Sequence, residues 1–243
     1  MWNIIGEFCR TYGLQIIATA LIGYLLGSIS FSIIITRKFE QKADIRTMGS
    51  GNAGFTNVLR SVGKLPATLT LIGDFGKGVV AVLIGKLIFQ FFAITPDVSF
   101  TVAQYGAYLA GFACLMGHLF PCYFGFRGGK GVLTTAAMML LIDWRGFFIE
   151  IAIFLIIFFI FRIIFLSSVI AACLYPVSTF MVTYFIDYLP NHRAGADYPL
   201  SYVVITTLVA LLIGVVVIVK HRQNIKRILA GTEKRITPKK RNA

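Results

Sequence analysis

The run Leu14–Thr36, LQIIATALIGYLLGSISFSIIIT, decides the fold class. It contains no Asp, Glu, Lys or Arg, and Arg37-Lys38 follow it directly. Crossing a bilayer takes about 20 consecutive apolar residues, so this run reads as a transmembrane helix. No small-residue cleavage site follows it, so it is expected to stay as a helix and not to be removed as a signal. Outward from it, Pro66–Ile94, Phe100–His118, Phe147–Phe161, Ile163–Ile186 and Leu200–Val219 read as further spans. Gly131–Asp143 is a shorter one, ending at the interface residue Trp144, with only a turn at Arg145-Gly146 before the next. Composition agrees: 57% of the residues are hydrophobic, 14% are charged, and mean hydropathy is +0.81. A soluble domain carries roughly 25% charged residues. Soluble globular and disordered classes are thereby excluded. The sequence predicts an all-α integral membrane protein, a compact bundle of about seven transmembrane helices forming a single domain, 1–243, with a basic tail over 230–243.

Charge sets the expected orientation. The formal net charge is +13. With seven spans and the C-terminus inside, 19 Lys and Arg fall on the inner side. These run from Arg37, Lys38, Lys42 and Arg46 to the tail Lys234–Arg241. Only Arg10, Arg145 and Arg193 fall outside. The positive-inside rule then puts the N-terminus outside and the C-terminus in the cytoplasm. The excess positive charge is read as topology and attraction to anionic lipid, with no nucleic acid implied. Lys86, inside the second span, is expected to snorkel. Cys9, Cys114, Cys122 and Cys173 lack metal-site or disulfide spacing and read as packing thiols.

Four inner segments break the apolar pattern. The first, Asp44–Arg60, packs Gly49, Ser50, Gly51, Asn52, Gly54, Thr56 and Asn57 between Arg46 and Arg60. Glycines let successive N–H groups turn toward one anion, and arginines supply bidentate bonds to phosphate. Gly49, Gly51 and Gly54 also spell GxGxxG, but no strand precedes them, so a dinucleotide fold is rejected. The second, Asp74–Gly78, holds Asp74 and Lys77 three residues apart. Such a pair is either functional or a structural register pair. The third, Gly117–Gly131, contains His118 and the series Gly128-Gly129-Lys130-Gly131, expected to open a helix whose N-terminus attracts anions. It is not a Walker A loop: Phe124 and Gly131 stand where glycine and Ser/Thr are needed, so no nucleotide is implied. His118 is either an interface histidine or an orienting residue. The fourth, Lys220–Arg227, carries His221 and Asn224 on one helical face; His221 titrates near neutrality. His192…Asp197 spells HxxxxD, but on the outer side, and reads as a solvated loop.

Two functions fit anion ligands gathered at the inner ends. One is a transporter for a phosphate-bearing solute; the other is an enzyme joining a soluble phosphate compound to a lipidic one. A transporter places charge near the midplane and often shows repeats. No repeat is evident here, and the position of the ligands favours the enzyme.

Ser50-Gly-Asn-Ala-Gly-Phe-Thr-Asn…Arg60, Asp74…Lys77-Gly78, Gly117-His118…Pro121…Gly128-Gly129-Lys130-Gly131 and His221-Arg222…Asn224-Ile225 together resemble the bacterial acyl-phosphate:glycerol-3-phosphate acyltransferases. The resemblance covers nearly the whole chain, with the motifs in order. It implies a compact seven-helix enzyme of the bacterial cytoplasmic membrane. That enzyme acylates the 1-hydroxyl of sn-glycerol 3-phosphate from acyl phosphate, yielding lysophosphatidic acid and inorganic phosphate. By position it implies Ser50, Arg60, Lys130 and His221 as glycerol 3-phosphate ligands. It implies Ser50, Gly51, Asn52, Gly54, Thr56, Asn57, Gly128 and Gly129 around the acyl phosphate, with Lys130, His221 and Asn224 catalytic. Arg46, Asp74, Lys77 and His118 would support them. Arg127 stands where lysine is common, Ser30 where proline is frequent, and the loop Tyr188–Pro199 looks long.

The chemistry suits these residue types. The leaving phosphate of an acyl phosphate has a second pKa of about 6, so it departs with little protonation and no acyl-enzyme is required. What remains is proximity and neutralisation of two anions. The hydroxyl proton goes to His221 or to the substrate's own phosphate. No metal or other cofactor is expected, and the chain is read as a monomer.

Overall fold

The structure, a computed structural model, describes residues 2–91, 99–195 and 198–232. Most of the basic tail, and Asp197 of the HxxxxD pattern, lie outside the described residues. Among the described residues all regular structure is helical. Six helical segments are long and apolar enough to cross a membrane, and Val132–Ile142 is a shorter apolar helix. The chain divides into two compact units, Met1–Ile142 and Asp143–Ala243.

In the first unit, α1 (Trp2–Gly27) and α2 (Phe31–Phe39) replace the single helix expected over Leu14–Thr36. The break falls at Ser28–Ser30. There Ser28 Oγ folds back onto the Tyr24 carbonyl at 2.8 Å, and Ser30 precedes α2. Small polar residues compete locally for backbone groups, which ends a helix inside an apolar run. The lipid-facing stripe of α1 is Leu14, Ile17, Leu21 and Leu25, at helical spacing and exposed. After α3 (Phe55–Ser61), α4 (Lys64–Phe91) runs unbroken through Asp74–Gly78, so those polar residues interrupt the hydropathy and not the helix. α5 (Ser99–Leu119) crosses α4 where Gly85 meets Gly106. A Cβ on either would meet the other's carbonyl oxygen, the close approach that small residues allow in membranes. Gly23 and Gly27 of α1 fit against Ala110 and Cys114 of α5 in the same way. Ala81, Val82, Phe89, Leu115 and Met138 are fully enclosed.

α6 (Val132–Ile142) has 11 residues, about 16 Å at 1.5 Å per residue. Lys86, expected to snorkel, donates to the Leu141 carbonyl, one of the four acceptors that a helix C-terminus leaves unpaired. Of the thiols described, Cys114 is buried, Cys122 half-buried and Cys173 exposed; the Cys9 side chain lies outside the described residues.

In the second unit α7 (Trp144–Phe161) begins one residue after α6, with Asp143 as its N-cap. Arg145 and Gly146, expected as a turn, are already helical. α8 (Ile164–Met181) contains Pro176 and passes through a π-helical stretch, Val182–Tyr188, into α9 (Leu189–Arg193), so part of the expected outer loop is helix. Arg145 clamps this stretch with two bonds to the Asp187 carboxylate, 2.7 and 2.8 Å. His192 stacks on Tyr188 at 5.3 Å. α10 (Leu200–Lys220) packs Gly214 against the Ala172 carbonyl of α8 and leads into α11 (Arg222–Leu229).

Candidate active site

The segment between α2 and α4 is folded around two side chains. Asp44 accepts the Arg46 backbone N–H at 2.9 Å and the guanidinium at 3.0 and 2.8 Å. The hydrogen-bonded Arg46 guanidinium holds the Asp44 carboxyl below its usual range. The remaining Arg46 nitrogen reaches across the fold, donating to the carbonyls of Phe124 at 2.6 Å and Arg127 at 3.3 Å. Arg46 is therefore a strut between the first and third sequence segments.

Asn57 is the second organiser. It is 2% exposed. Its amide nitrogen donates to the carbonyls of Met48 (2.9 Å), Asn52 (3.0 Å) and Ile45 (3.1 Å), and its oxygen accepts from Ser50 N at 2.9 Å. Gly49 and Gly51 turn the loop with φ of +54° and +71°, a region that glycine enters without penalty. The expected nest of inward N–H groups is mostly spent on the loop itself. Ser50 donates to Asn57, Gly51 to Met48 and Gly54 to Asn52. Among the described residues the N–H groups of Asn52 and Ala53 have no acceptor.

The third segment corrects a second expectation. Gly128-Gly129-Lys130-Gly131 does not open the helix; α6 starts at Val132, and Gly131, with φ +82°, caps it by accepting from Thr135 N at 2.9 Å. The N–H groups of Gly128 and Gly129, expected to face phosphate, donate to the carbonyls of Leu119 (3.3 Å) and His118 (3.1 Å). Gly129 is buried where segments meet: a Cβ there would strike both His118 Nε2 and the Ala53 carbonyl oxygen. The structure thus brings the Ser50–Asn57 loop and the Gly128–Lys130 loop together within the first unit. Within them Ser50 and Gly51 are exposed, as is Arg60 further along α3, while Asn52, Gly54, Thr56, Gly128 and Lys130 are half-buried.

Behind these loops lies a buried ionic group. Lys77 Nζ is 3.1 Å from Asp74 Oδ1, and His118 Nδ1 is 3.6 Å from the same oxygen. The Lys77–His118 distance is 2.9 Å. Asp74, Lys77 and His118 are 1%, 5% and 6% exposed. Their placement on one side of α4 and at the end of α5 matches the pairing that the sequence suggested.

In the second unit His221 joins α10 to α11. It is 2% exposed, and its ring stacks on Phe165 at 6.3 Å. Its Nδ1 lies 2.8 Å from the Val217 carbonyl. A carbonyl only accepts, so Nδ1 carries the proton and a neutral ring keeps its lone pair at Nε2. Asn224 is one turn on, its N–H bonded to the His221 carbonyl at 2.9 Å, and is likewise buried.

One buried ionisable residue escaped the sequence reading. Glu150, in α7, is 6% exposed and accepts Ser178 Oγ at 2.6 Å. Its signal was an acid in an otherwise apolar span.

The family model described as glycerol-3-phosphate acyltransferase matches residues 17–231. A glycerol-3-phosphate acyltransferase of Ralstonia pickettii (strain 12J) is 40% identical over 225 residues, 92% of this chain and 95% of its own. Another, from Jannaschia sp. (strain CCS1), is 38% identical over 227 residues, 93% of this chain and 96% of its own. The crystal structure of PlsY (YgiH), an integral membrane glycerol 3-phosphate acyltransferase, in its glycerol 3-phosphate form superposes with a TM-score of 0.71. It is 29% identical and covers 91% of this chain and 96% of that one. Its lysophosphatidic acid form gives a TM-score of 0.68. With an all-helical fold and matches along nearly its whole length, the chain belongs to the glycerol-3-phosphate acyltransferase family and is a membrane-integral acyltransferase of phospholipid synthesis.

Proposed function

We propose that the chain transfers an acyl group from acyl phosphate to the 1-hydroxyl of sn-glycerol 3-phosphate by direct displacement, releasing lysophosphatidic acid and inorganic phosphate. The observation that carries this is the division of labour in the two apposed loops. Asn57, Arg46 and the Gly128–Gly129 amides are consumed by the scaffold. Ser50 and Arg60, with the N–H group of Asn52, are left to neutralise anions, and Lys130 adds a cation from the second loop. Charge-assisted bonds of this kind suit a reaction whose reactants both carry phosphate. The bound acceptor's phosphate is assigned to Ser50, Arg60 and Lys130. The donor's phosphate is assigned to the Asn52 N–H with Thr56.

His221 and Asn224 are assigned to the same reaction. The tautomer set by the Val217 carbonyl suits His221 as acceptor of the hydroxyl proton, transferred as the hydroxyl oxygen attacks the acyl carbon and the C–O bond to phosphate breaks. We further take the short helix α6 together with the loop before it as a seventh pass, the N-terminus as outside, and the loops as cytoplasmic. The host is a bacterial inner membrane, and the working unit is a monomer.

Product analysis tests the reading. Purified protein supplied with acyl phosphate should form lysophosphatidic acid, and acyl-CoA should give none; equal rates with both donors would refute the donor assignment. Lys130→Ala should abolish glycerol 3-phosphate acylation in folded protein. If His221 is an obligatory base, His221→Gln loses several orders of magnitude in kcat; a loss confined to KM makes it a binding residue. Chelation of magnesium should leave turnover unchanged.

A further inference from the structure

We propose that Lys77 is a positioning residue for acyl transfer. Its ammonium fixes the His118 ring, and His118 in turn fixes the peptide at Gly129 that carries Lys130. The proposal rests on the reading of Lys130 as a ligand of the acceptor's phosphate.

An ammonium has three N–H donors and no lone pair. Lys77 Nζ has three acceptors: the Gly27 carbonyl at 2.9 Å, the Ile29 carbonyl at 2.7 Å and His118 Nδ1 at 2.9 Å. Its protons are then fully used, and Asp74 Oδ1, 3.1 Å away, supplies counter-charge without receiving a hydrogen bond. Since the ammonium cannot accept, His118 Nδ1 is the acceptor and the ring proton sits on Nε2. That Nε2 lies against Gly129, where no Cβ has room. The carbonyl of His118 also accepts Gly129 N at 3.1 Å. One residue thus packs its ring against Gly129 and bonds it through its backbone, and Lys130 is the next residue along.

The two carbonyls that Lys77 caps belong to the break between α1 and α2, and capping them is a structural task in its own right. The two roles have different kinetic signatures. Loss of folded enzyme lowers Vmax and leaves both KM values alone. Misplacement of Lys130 weakens the glycerol 3-phosphate site selectively; an error of about 1 Å in a positioned group is enough to cost on the order of 10²-fold.

The test is a double-mutant cycle on the full-length protein in detergent, with the folded fraction measured by thermal melting. Lys77→Met should raise KM for glycerol 3-phosphate at least tenfold and leave KM for acyl phosphate within twofold. In a Lys130→Gln background, whose amide keeps two N–H donors and with them residual turnover, Lys77→Met should add less than twofold more, because the ammonium it positions has gone. Full multiplicative effects in the double variant overturn the proposal, as does a fall in Vmax that tracks the folded fraction with both KM values unchanged. If Lys77→Met does not fold, Lys77→Gln, which keeps two N–H donors, is read through the same cycle. A wild-type KM in Lys130→Gln alone refutes the functional reading and this inference with it, and is visible in that single variant.

Discussion

Asn57 offers the sharpest separation of scaffold from ligand. Its Nδ2 has two hydrogens shared among three carbonyls at 2.9–3.1 Å, and its oxygen takes one good bond from Ser50 N at 2.9 Å. That amounts to about three effective bonds, each contributing roughly 0.5–1.5 kcal/mol net when buried. Asn57→Ala should therefore destabilise the protein by about 2–4 kcal/mol, lowering the melting temperature by roughly 5–15 °C for a chain of this size. Asn57→Asp should be worse, although its shape is nearly unchanged. A carboxylate oxygen would then face three carbonyl oxygens that previously received protons. Melting in detergent and KM for both substrates are the measurements. The loop should loosen as a whole, so both KM values should rise together. An unchanged melting temperature with a selective rise in KM for acyl phosphate would refute the argument and make Asn57 the direct ligand that its sequence motif suggests.

Other variants test neighbouring parts of the same scheme. Gly129→Ala forces a methyl against His118 Nε2 and the Ala53 carbonyl; overpacking of this kind costs about 1–3 kcal/mol, and activity should fall at least about a hundredfold. Gly125→Ala is its control: φ is +65°, but nothing lies within 4 Å of the added methyl, so the cost is about 1 kcal/mol of left-handed strain and near-normal turnover is expected. Arg46 depresses the Asp44 carboxyl below its ordinary 3.8. Its contribution is thus complete above that value and is lost only as pH falls through the lowered one. Asp44→Asn should then leave the shape of the rate profile above about pH 5 unchanged, and a new acidic limb there would contradict the assignment. Glu150→Gln keeps an acceptor for Ser178 Oγ while removing a potential charge from an apolar span. It should melt no lower than the parent and retain activity within twofold, as a melting curve and one rate measurement will show.

Much of the fold was legible because membrane spans announce themselves by length and apolarity. The break after Gly27 was not. Leu14–Thr36 carries no charge, and the partner that satisfies the opened carbonyls, Lys77, lies 48 residues or more downstream. The Gly-rich segments were singled out correctly as unusual, since glycine, asparagine and arginine at that density signal a built loop. Which of their N–H groups face inward depends on long-range bonds, such as Asn57 to Ile45 or Arg46 to Phe124, and spacing carries no trace of these. Glu150 was overlooked because averaging hydropathy over a span hides one acid among phenylalanines and isoleucines.

The brevity of α6 has a consequence for where the reactants meet. Asp143, Trp144 and Arg145 follow Ile142 directly, charged and interfacial residue types that belong at a bilayer surface. A rise of about 16 Å then carries its other end only halfway through a hydrocarbon layer about 30 Å thick. Lys130 and the glycines before it would lie in a recess sunk beneath the level of the lipid phosphates. A water-borne polyol can descend into such a well, whereas a fatty chain can stay in the surrounding leaflet throughout. Under the proposed reaction, substrate traffic then divides by solubility: only the small partner changes phase, and the acylated product forms beside the hydrocarbon.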